Sequence, residues 1–369
     1  MNQAKKPTGQ LYDLDLPVLE SLLESWGEPA YRARQVWEWL YIHLVDSVDQ
    51  MTNLPKPLRE KMGAETPIGV PEVVDMVRSE DGETRKDLLR LADGETIEAV
   101  LMHYERRHTA CISTQVGCLI GCAFCATGQM GFRRELTGGE IVAQALHFAR
   151  ILRARQQRLS NVVLMGMGEP LLNYDATLAA IRRLTDPQGL NLGQRHITLS
   201  TVGIVPGIEL LADEEGHHGG PLQITLAVSL HAATDQLRDQ LVPMNRRYNL
   251  DRLFEACHYY IQRTGRRVSF EWALIEGVND TPQQAQALAA RLAGLLSHVN
   301  LIPLNPTSNY AGRPSSHSAL DAFTKELDRR LISYTVRLHR GIDIQAGCGQ
   351  LRQRSQSTDK ATGRMNPIP

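Results

Sequence analysis

Three cysteines stand at a spacing that suits a metal centre. Cys118, Cys122 and Cys125 form a C-x-x-x-C-x-x-C array, which one turning loop can direct at a single site. A structural zinc ion is normally enclosed by four ligands, whereas a 4Fe-4S cluster held by three cysteines leaves one iron open. S-adenosylmethionine (SAM), which chelates through its amino and carboxylate groups, is the known ligand of such an iron. The alternative, at an unusual spacing, is zinc completed by Cys111 or by a histidine such as His108.

A glycine-rich segment supports the SAM interpretation. The apolar run NVVLM leads directly into Gly166, Met167, Gly168, Glu169 and Pro170. Two glycines let a ligand approach the backbone, and the carboxylate that follows suits the ammonium group of SAM. Alone, the segment is also typical of an ordinary turn in which the glutamate caps the next helix. Its position one βα unit after the cysteines favours a ligand site.

The composition limits the class of protein. The 369 residues include 40 Lys and Arg against 41 Asp and Glu, so nucleic-acid binding would need a local basic patch. Apolar runs such as 222–230 are far shorter than the roughly 20 residues that span a bilayer, and the N-terminus has no apolar signal core. Six cysteines are too few for a disulfide scaffold. We therefore expect a cytoplasmic protein without membrane segments.

Changes in residue pattern divide the chain into four regions. Helical spacing of apolar residues occupies 1–65, three strand-like runs separated by Asp-Gly turns occupy 66–108, and alternating strand-like and helical runs occupy 109–352. The polar segment 353–369 is predicted to be a mobile tail. Parallel strands with right-handed crossover helices wind into a full or partial barrel, in which reactive residues lie at strand ends. The predicted fold is therefore α/β, with an N-terminal helical domain and a β-meander.

The motifs as a set resemble those of one known family. They are CISTQVGC, GCAFCATG, MGMGEPLLN, LSTVGIVP, SLHA, LVPMNRRY, GVND, NLIPLNP and AGCGQL, and they extend from about residue 12 to 352. They are similar to those of the bacterial radical SAM methyltransferases that modify adenosine at carbon 2 in 23S rRNA and tRNA, and of relatives that act at carbon 8. The resemblance implies a partial (β/α)6 radical SAM barrel, with a 4Fe-4S cluster on Cys118, Cys122 and Cys125.

The same resemblance implies roles for single residues. Cys348, between Gly347 and Gly349, matches the cysteine that becomes S-methylated, and Cys111 matches the cysteine that later pairs with it in a disulfide. Glu98 matches the proposed proton acceptor, and Cys111 is the other candidate base. The residues that match contacts to SAM are Gly168, Glu169, Ser200, Ser229, His231 and Asn305.

The implied reaction is the formation of 2-methyladenosine in the peptidyl-transferase region of 23S rRNA and in tRNA next to the anticodon. An adenine carbon between ring nitrogens is a poor nucleophile, so a radical route is required, with two SAM molecules consumed per product. Carbon-8 methylation is the alternative, and a non-enzymatic zinc-binding RNA protein is a more distant one. The expected partners are these RNAs and an electron-donor protein such as flavodoxin. The candidate RNA contacts are Arg133, Arg134, Arg150, Arg153, Arg155, Arg158, Arg352 and Arg354.

Overall fold

The computed structural model describes residues 9–217, 219–307, 309–337 and 341–351. The predicted tail at 353–369 and the candidate Arg352 lie outside the described residues. The strands are β1 (Glu72–Arg78), β2 (Thr84–Arg90), β3 (Thr96–Tyr104), β4 (Arg107–Cys111), β5 (Gln115–Gly117), β6 (Phe132–Glu135), β7 (Asn161–Leu164), β8 (Ile197–Thr201), β9 (Thr225–Ser229), β10 (Val268–Leu274), β11 (Ser297–Pro303) and β12 (Tyr334–Val336). The α-helices are α1 (Leu16–Ser25), α2 (Tyr31–Tyr41), α3 (Lys56–Glu65), α4 (Ala126–Gln129), α5 (Gly138–Arg153), α6 (Tyr174–Leu184), α7 (Val205–Ala212), α8 (Asp235–Leu241), α9 (Leu250–Thr264), α10 (Pro282–Leu292) and α11 (His317–Arg329).

Ten of these strands form one sheet in the order β1-β2-β3-β4-β7-β8-β9-β10-β11-β12, and β5 pairs with β6 separately. From β4 to β12 all neighbours are parallel, whereas β1 to β4 are antiparallel. Helices connect the parallel strands from β7 onward. The predicted α/β class with a partial barrel is confirmed, and β12 adds a short seventh parallel strand.

Strand β4 joins the meander to the parallel strands. It pairs with β3 in antiparallel register, Cys111 opposite Val100, and with β7 in parallel register, Cys111 beside Val163. The meander therefore continues the barrel sheet instead of forming a separate layer. The predicted boundary between residues 108 and 109 falls inside this strand.

The first helices pack against the barrel through α5. Asp15 caps α1 by accepting a hydrogen bond from the Val18 amide at 2.9 Å. Asp13 Oδ1 accepts a hydrogen bond from the Gly139 amide at 2.9 Å, which holds the residues before α1 beside the start of α5. No helix in the described part of the chain is long and apolar enough to cross a membrane.

Capping residues set where the barrel helices begin. Thr137 and Glu140 form a capping box at the start of α5, with hydrogen bonds of 3.1 and 2.9 Å. Thr281 caps α10 and Pro282 occupies its first position. These local signals fix the helix starts, while the apolar strands between them form the buried barrel wall.

Gly166 generates a testable prediction about the barrel. A Cβ at this position would lie 2.7 Å from the backbone carbonyl of Ile112, which continues β4 toward the cysteine loop. Gly166→Ala should therefore lower the free energy of unfolding by about 1–3 kcal/mol through overpacking. The control is Gly63→Ala in α3, where the nearest atom is a side-chain methyl of Val48 at 3.3 Å. Equal thermal midpoints for the two variants would contradict this account.

Candidate active site

A cavity of about 810 Å³ lies at the carboxyl ends of β8 to β11. The predicted residues that line it are Cys122, Cys125, Ser200, Ser229, His231, Asn305 and Cys348. Four of the six predicted SAM contacts and two of the three predicted cluster cysteines therefore surround one space.

The three cysteines of the array lie on the loop between β5 and α4. Burial raises the pKa of the Cys118 thiol to about 12, and the charge of Cys125 adds to the shift. Burial also holds the pKa of Cys122 well above its usual range, with further contributions from Cys125 and Cys118. Thiols that are buried and mutually repulsive in this way become thiolates when metal cations neutralise them. The donor set therefore fits a metal cluster.

Three thiolates on one loop suit a 4Fe-4S cluster, in which each cysteine binds a different iron and the fourth iron stays open.

His231 enters the first cavity as a neutral hydrogen-bond donor. It follows β9 with a left-handed backbone, φ 58°, and its Nδ1 accepts the Ala273 amide at 2.9 Å. Burial lowers its pKa to about 3, and the charge of Arg238 adds to the effect. The ring is therefore neutral at physiological pH, with its proton on Nε2.

Asn305 connects the cavity wall to the loop that carries Cys348. Its Nδ2 donates to the backbone carbonyl of Cys348 at 3.0 Å. Its Oδ1 is buried and has no hydrogen-bond partner among the described residues. Buried polar atoms in native proteins are normally paired, so this acceptor fits a donor group of a bound cofactor.

Gly168 and Glu169 are placed differently from the other predicted SAM contacts. Neither is among the described residues that line the first cavity. The carboxylate of Glu169 is 2% exposed and accepts the amides of Val202 at 2.8 Å and Leu171 at 3.2 Å, while burial raises its pKa to about 7. A Cβ on Gly168 would lie 2.7 Å from the Gln115 side chain, so this glycine accommodates β5. Contact of these two residues with SAM remains a prediction.

The loop carrying Cys348 is held against the cluster loop. The Ala126 amide donates to the Gly349 carbonyl at 2.8 Å, and the Thr127 hydroxyl donates to the Leu351 carbonyl at 2.6 Å. Cys348 is an exposed residue, and it lines the first cavity. These hydrogen bonds position the loop although glycines flank Cys348 on both sides.

A second cavity, of about 770 Å³, brings the two predicted catalytic thiols together. Cys111 at the end of β4 and Cys348 both line it, and Met165 and Cys348 are shared with the first cavity. Burial raises the pKa of Cys111 to about 12, and the charge of Cys348 adds to this shift. Both residues are free thiols.

Glu98 lies beside the second cavity, on the face of β3 that Val100 presents to it. Residues two apart on a strand share a face, and Val100 lines the cavity. The Glu98 side chain is 1% exposed, and its Oε1 lies 3.1 Å from Lys86 Nζ. Glu98 itself is not among the described lining residues of the cavity.

Two charged residues near the site were missed from the sequence. Lys86 on β2 is buried against Glu98, and Glu271 on β10 lines the first cavity while accepting a hydrogen bond from Asn300 at 2.7 Å. Glu271 stands in the largely apolar run VSFEWAL, where a lone charge is the signal that could have identified it, because lone charges are rarely buried. Lys86 has Arg85 and Asp87 as neighbours in β2, so the sequence offers no comparable signal for it.

Comparison with known proteins agrees with this site. Residues 112–288 match the family model of the radical SAM superfamily, and residues 9–68 match the model described as the ribosomal RNA large subunit methyltransferase N-terminal domain. The fold and the site therefore define a radical SAM enzyme. Members of this superfamily use SAM and a 4Fe-4S cluster.

Close relatives narrow the class further. The chain is 51% identical over 345 residues, 94% of each chain, to the dual-specificity RNA methyltransferase RlmN 1 of Myxococcus xanthus. It is 50% identical over 355 residues, 93% of each chain, to the probable dual-specificity RNA methyltransferase RlmN of Chloroflexus aurantiacus. A crystal structure of a radical SAM methyltransferase from Sphaerobacter thermophilus matches with a TM-score of 0.90 at 50% identity, covering 93% of this chain and 99% of that chain. The chain belongs to the RlmN family of radical SAM RNA methyltransferases.

The cysteine loop yields a prediction with a matched control. Cys122→Ala should abolish iron binding and SAM cleavage, because one of three thiolates for the cluster is lost. Cys257→Ala should leave both unchanged, because Cys257 is 0% exposed and packs in the apolar face of α9. Iron and sulfide content after anaerobic purification, and 5′-deoxyadenosine release, would be measured. Full SAM cleavage by Cys122→Ala would refute the assignment.

Proposed function

We propose that the enzyme makes 2-methyladenosine in 23S rRNA and in tRNA, with Cys348 as the methyl carrier and Cys111 as the thiol that releases the product. The observation that carries this proposal is the second cavity, where two thiols far apart in sequence face the same space. An electron-donor protein such as flavodoxin and a cytoplasmic location belong to the same proposal. So does the use of two SAM molecules per product.

Cys348 is suited to present one carbon to two reactants in turn. Its thiol borders the first cavity, where Asn305, His231 and the cluster cysteines would hold SAM, and also the second cavity beside Cys111. The bound cluster and SAM supply a 5′-deoxyadenosyl radical, which can take hydrogen from an unactivated methyl group. A methyl group on Cys348 would border both spaces without a large movement, because Cys348 lines both cavities. Hydrogen bonds to Ala126 and Asn305 hold the loop in this place.

Cys111 is suited to release the RNA from a thioether with Cys348. Its sulfur attacks the sulfur of Cys348, so that an S–S bond forms and the S–C bond breaks. The electron pair of the broken bond goes to the carbon on adenine, and the proton that the Cys111 thiol loses in the attack converts this carbon to the methyl group. Burial opposes the thiolate of Cys111, whereas the charge of Arg337 favours it.

Glu98 is a better candidate than Cys111 for accepting the proton of the adenine carbon. With a pKa of about 12, Cys111 keeps its own proton at neutral pH and cannot take another. Glu98 lies on the strand next to Cys111, with its side chain directed to the same face of the sheet.

RNA is proposed to approach through a third cavity of about 1340 Å³, which shares Tyr104, Arg107 and Arg337 with the second. Arg107 begins β4 and Arg337 follows β12, strands that are not hydrogen-bonded neighbours, so the cavity bridges the gap where the barrel is not closed. Arg267 also lines it, and none of the three arginines forms an ion pair with a carboxylate among the described residues. Unpaired cations at an opening favour phosphate groups.

Two of the arginines that the sequence suggested as RNA contacts are already paired with carboxylates of the protein. Arg133 pairs with Glu95 at 3.2 Å, and Arg134 pairs with both Asp93 and Glu140. Their charges are already compensated within the protein. We therefore propose that the arginines at the third cavity bind the phosphates next to the target adenosine.

The nature of the product tests the proposed function directly. RNA from cells lacking the enzyme, incubated with purified protein, SAM and reductant, should gain 2-methyladenosine in 23S rRNA and in tRNA. Nucleoside mass spectrometry against standards measures it. The appearance of 8-methyladenosine alone would replace carbon 2 by carbon 8, and no methylated adenosine in either RNA would refute the proposal.

Replacing each of the two thiols should stop the reaction at a different step. Cys348→Ala should form no protein-bound methyl group and no RNA adduct, because the carrier sulfur is absent. Cys111→Ala should accept the methyl group and add to adenine, then accumulate a covalent protein-RNA species, because no second thiol attacks the thioether. Denaturing electrophoresis with labelled RNA distinguishes them. Normal release of methylated RNA by Cys111→Ala would remove Cys111 from this role.

The arginines at the third cavity lead to a prediction about the salt dependence of RNA binding. Arg267→Gln should weaken RNA binding and reduce the slope of log affinity against log salt by about 1, because one phosphate contact is lost. Arg263→Gln is the matched control, since Arg263 pairs with Asp213 on the outside of the barrel. An unchanged slope in Arg267→Gln would place the RNA elsewhere.

A further inference from the structure

We propose that Lys86 is a positioning residue for catalysis, holding Glu98 as a carboxylate and anchoring the segment that presents Cys348. The inference rests on the proposed function for the role of Glu98. Lys86 Nζ lies 3.1 Å from Glu98 Oε1 and donates a hydrogen bond to the Gln345 carbonyl at 3.0 Å. One buried amino group therefore contacts both the candidate base and the catalytic loop.

The strand register directs Lys86 to the side of the sheet where the chemistry occurs. Lys86 pairs with Val100 across β2 and β3, and Val100 pairs with Cys111 across β3 and β4. Directly paired residues project to the same face of a sheet. Lys86, Val100 and Cys111 therefore form a row across three strands, and Glu98 is the diagonal neighbour of Lys86 on that face.

Because the pair is buried, the charge of Lys86 and the charge of Glu98 each need the other for compensation. The Lys86 and Glu98 side chains are 3% and 1% exposed. A buried carboxyl group without a cation favours its neutral acid, and removing one partner of a buried pair leaves an uncompensated charge. A neutral Glu98 already holds a proton and cannot accept one from adenine. Lys86 takes part in no bond-making step, but it keeps the acceptor form of Glu98 available.

The second contact of Lys86, its hydrogen bond to Gln345, positions the segment that leads to Cys348. Gln345 has a left-handed backbone, φ 53°, and lies three residues before Cys348. The meander makes a further contact with this segment, since the Glu80 amide donates to Asp343 Oδ2 at 2.9 Å. The meander lies between the two stretches that the family models match, 9–68 and 112–288. It therefore provides a support for the catalytic loop that is not part of the general superfamily core.

A double-mutant cycle tests whether Lys86 acts through Glu98. Lys86→Met and Glu98→Gln should each lower single-turnover methylation of RNA by about tenfold or more, the scale of a lost general base. The double variant should lose no more than the worse single variant, because both changes remove one function. The control is Arg90→Met on the same strand, whose ion pair with Glu72 faces solvent. Multiplicative losses in the double variant would overturn the coupling.

A second measurement tests the anchor without RNA or methylation. The rate of alkylation of Cys348 in the cluster-loaded protein without RNA, resolved by peptide mass spectrometry, should rise several-fold in Lys86→Met and stay unchanged in Arg90→Met. An unchanged rate in Lys86→Met would overturn the anchoring role. Because this readout needs no RNA product, it separates failure of the anchor from failure of the proposed function.

One further variant keeps the proposal testable if Lys86→Met does not fold. Replacing both partners, Lys86→Met with Glu98→Leu, removes the buried charges together, a change that proteins often tolerate. This folded variant should methylate RNA no faster than Glu98→Gln and should show fast alkylation of Cys348. Methylation at the wild-type rate would overturn the proposal.

Discussion

The hydrogen bonding of β4 on both sides is the constraint on which the rest of the site depends. Its antiparallel partner β3 brings Glu98 to the barrel, and its parallel partner β7 starts the wall that ends at the first cavity. Its own last residue is Cys111, and the chain then runs through β5 into the cysteine loop. A register slip of one residue would turn Cys111 away from the second cavity, because alternate residues on a strand face opposite sides.

Some buried polar groups of the site are available to ligands, whereas others are paired within the protein. Cys118 and Cys122 carry raised pKa values that metal binding would reverse, and Asn305 Oδ1 has no partner among the described residues. By contrast, Lys86 and Glu98 satisfy each other. Unpaired groups mark where a cofactor stabilises the fold on binding, and paired groups mark where the protein must hold charge by itself.

In a nearly neutral chain, the local distribution of charge matters more for RNA binding than the net charge. Acidic and basic residues almost cancel, 41 against 40, so the whole protein offers no long-range attraction. Arginines on the outer surface, such as Arg134, are compensated by neighbouring carboxylates. Arg107, Arg267 and Arg337 line the third cavity together with the Glu271 carboxylate and form no ion pair among the described residues, and this is where RNA is proposed to approach.

Features that depend on local spacing could be predicted from the sequence. The array of Cys118, Cys122 and Cys125 predicted a metal loop, and the alternation of strand-like and helical runs predicted the parallel strands that the structure shows. Family motifs supplied the roles assigned to Cys111, Cys348 and Glu98. Three features could be seen only in the folded chain: Lys86 contacts Glu98 and Gln345, Gly168 accommodates Gln115 instead of lining the first cavity, and Arg267 and Arg337 line one cavity. These contacts join residues far apart in the chain. Strand register and the curvature of the sheet bring them together, and local residue patterns encode neither.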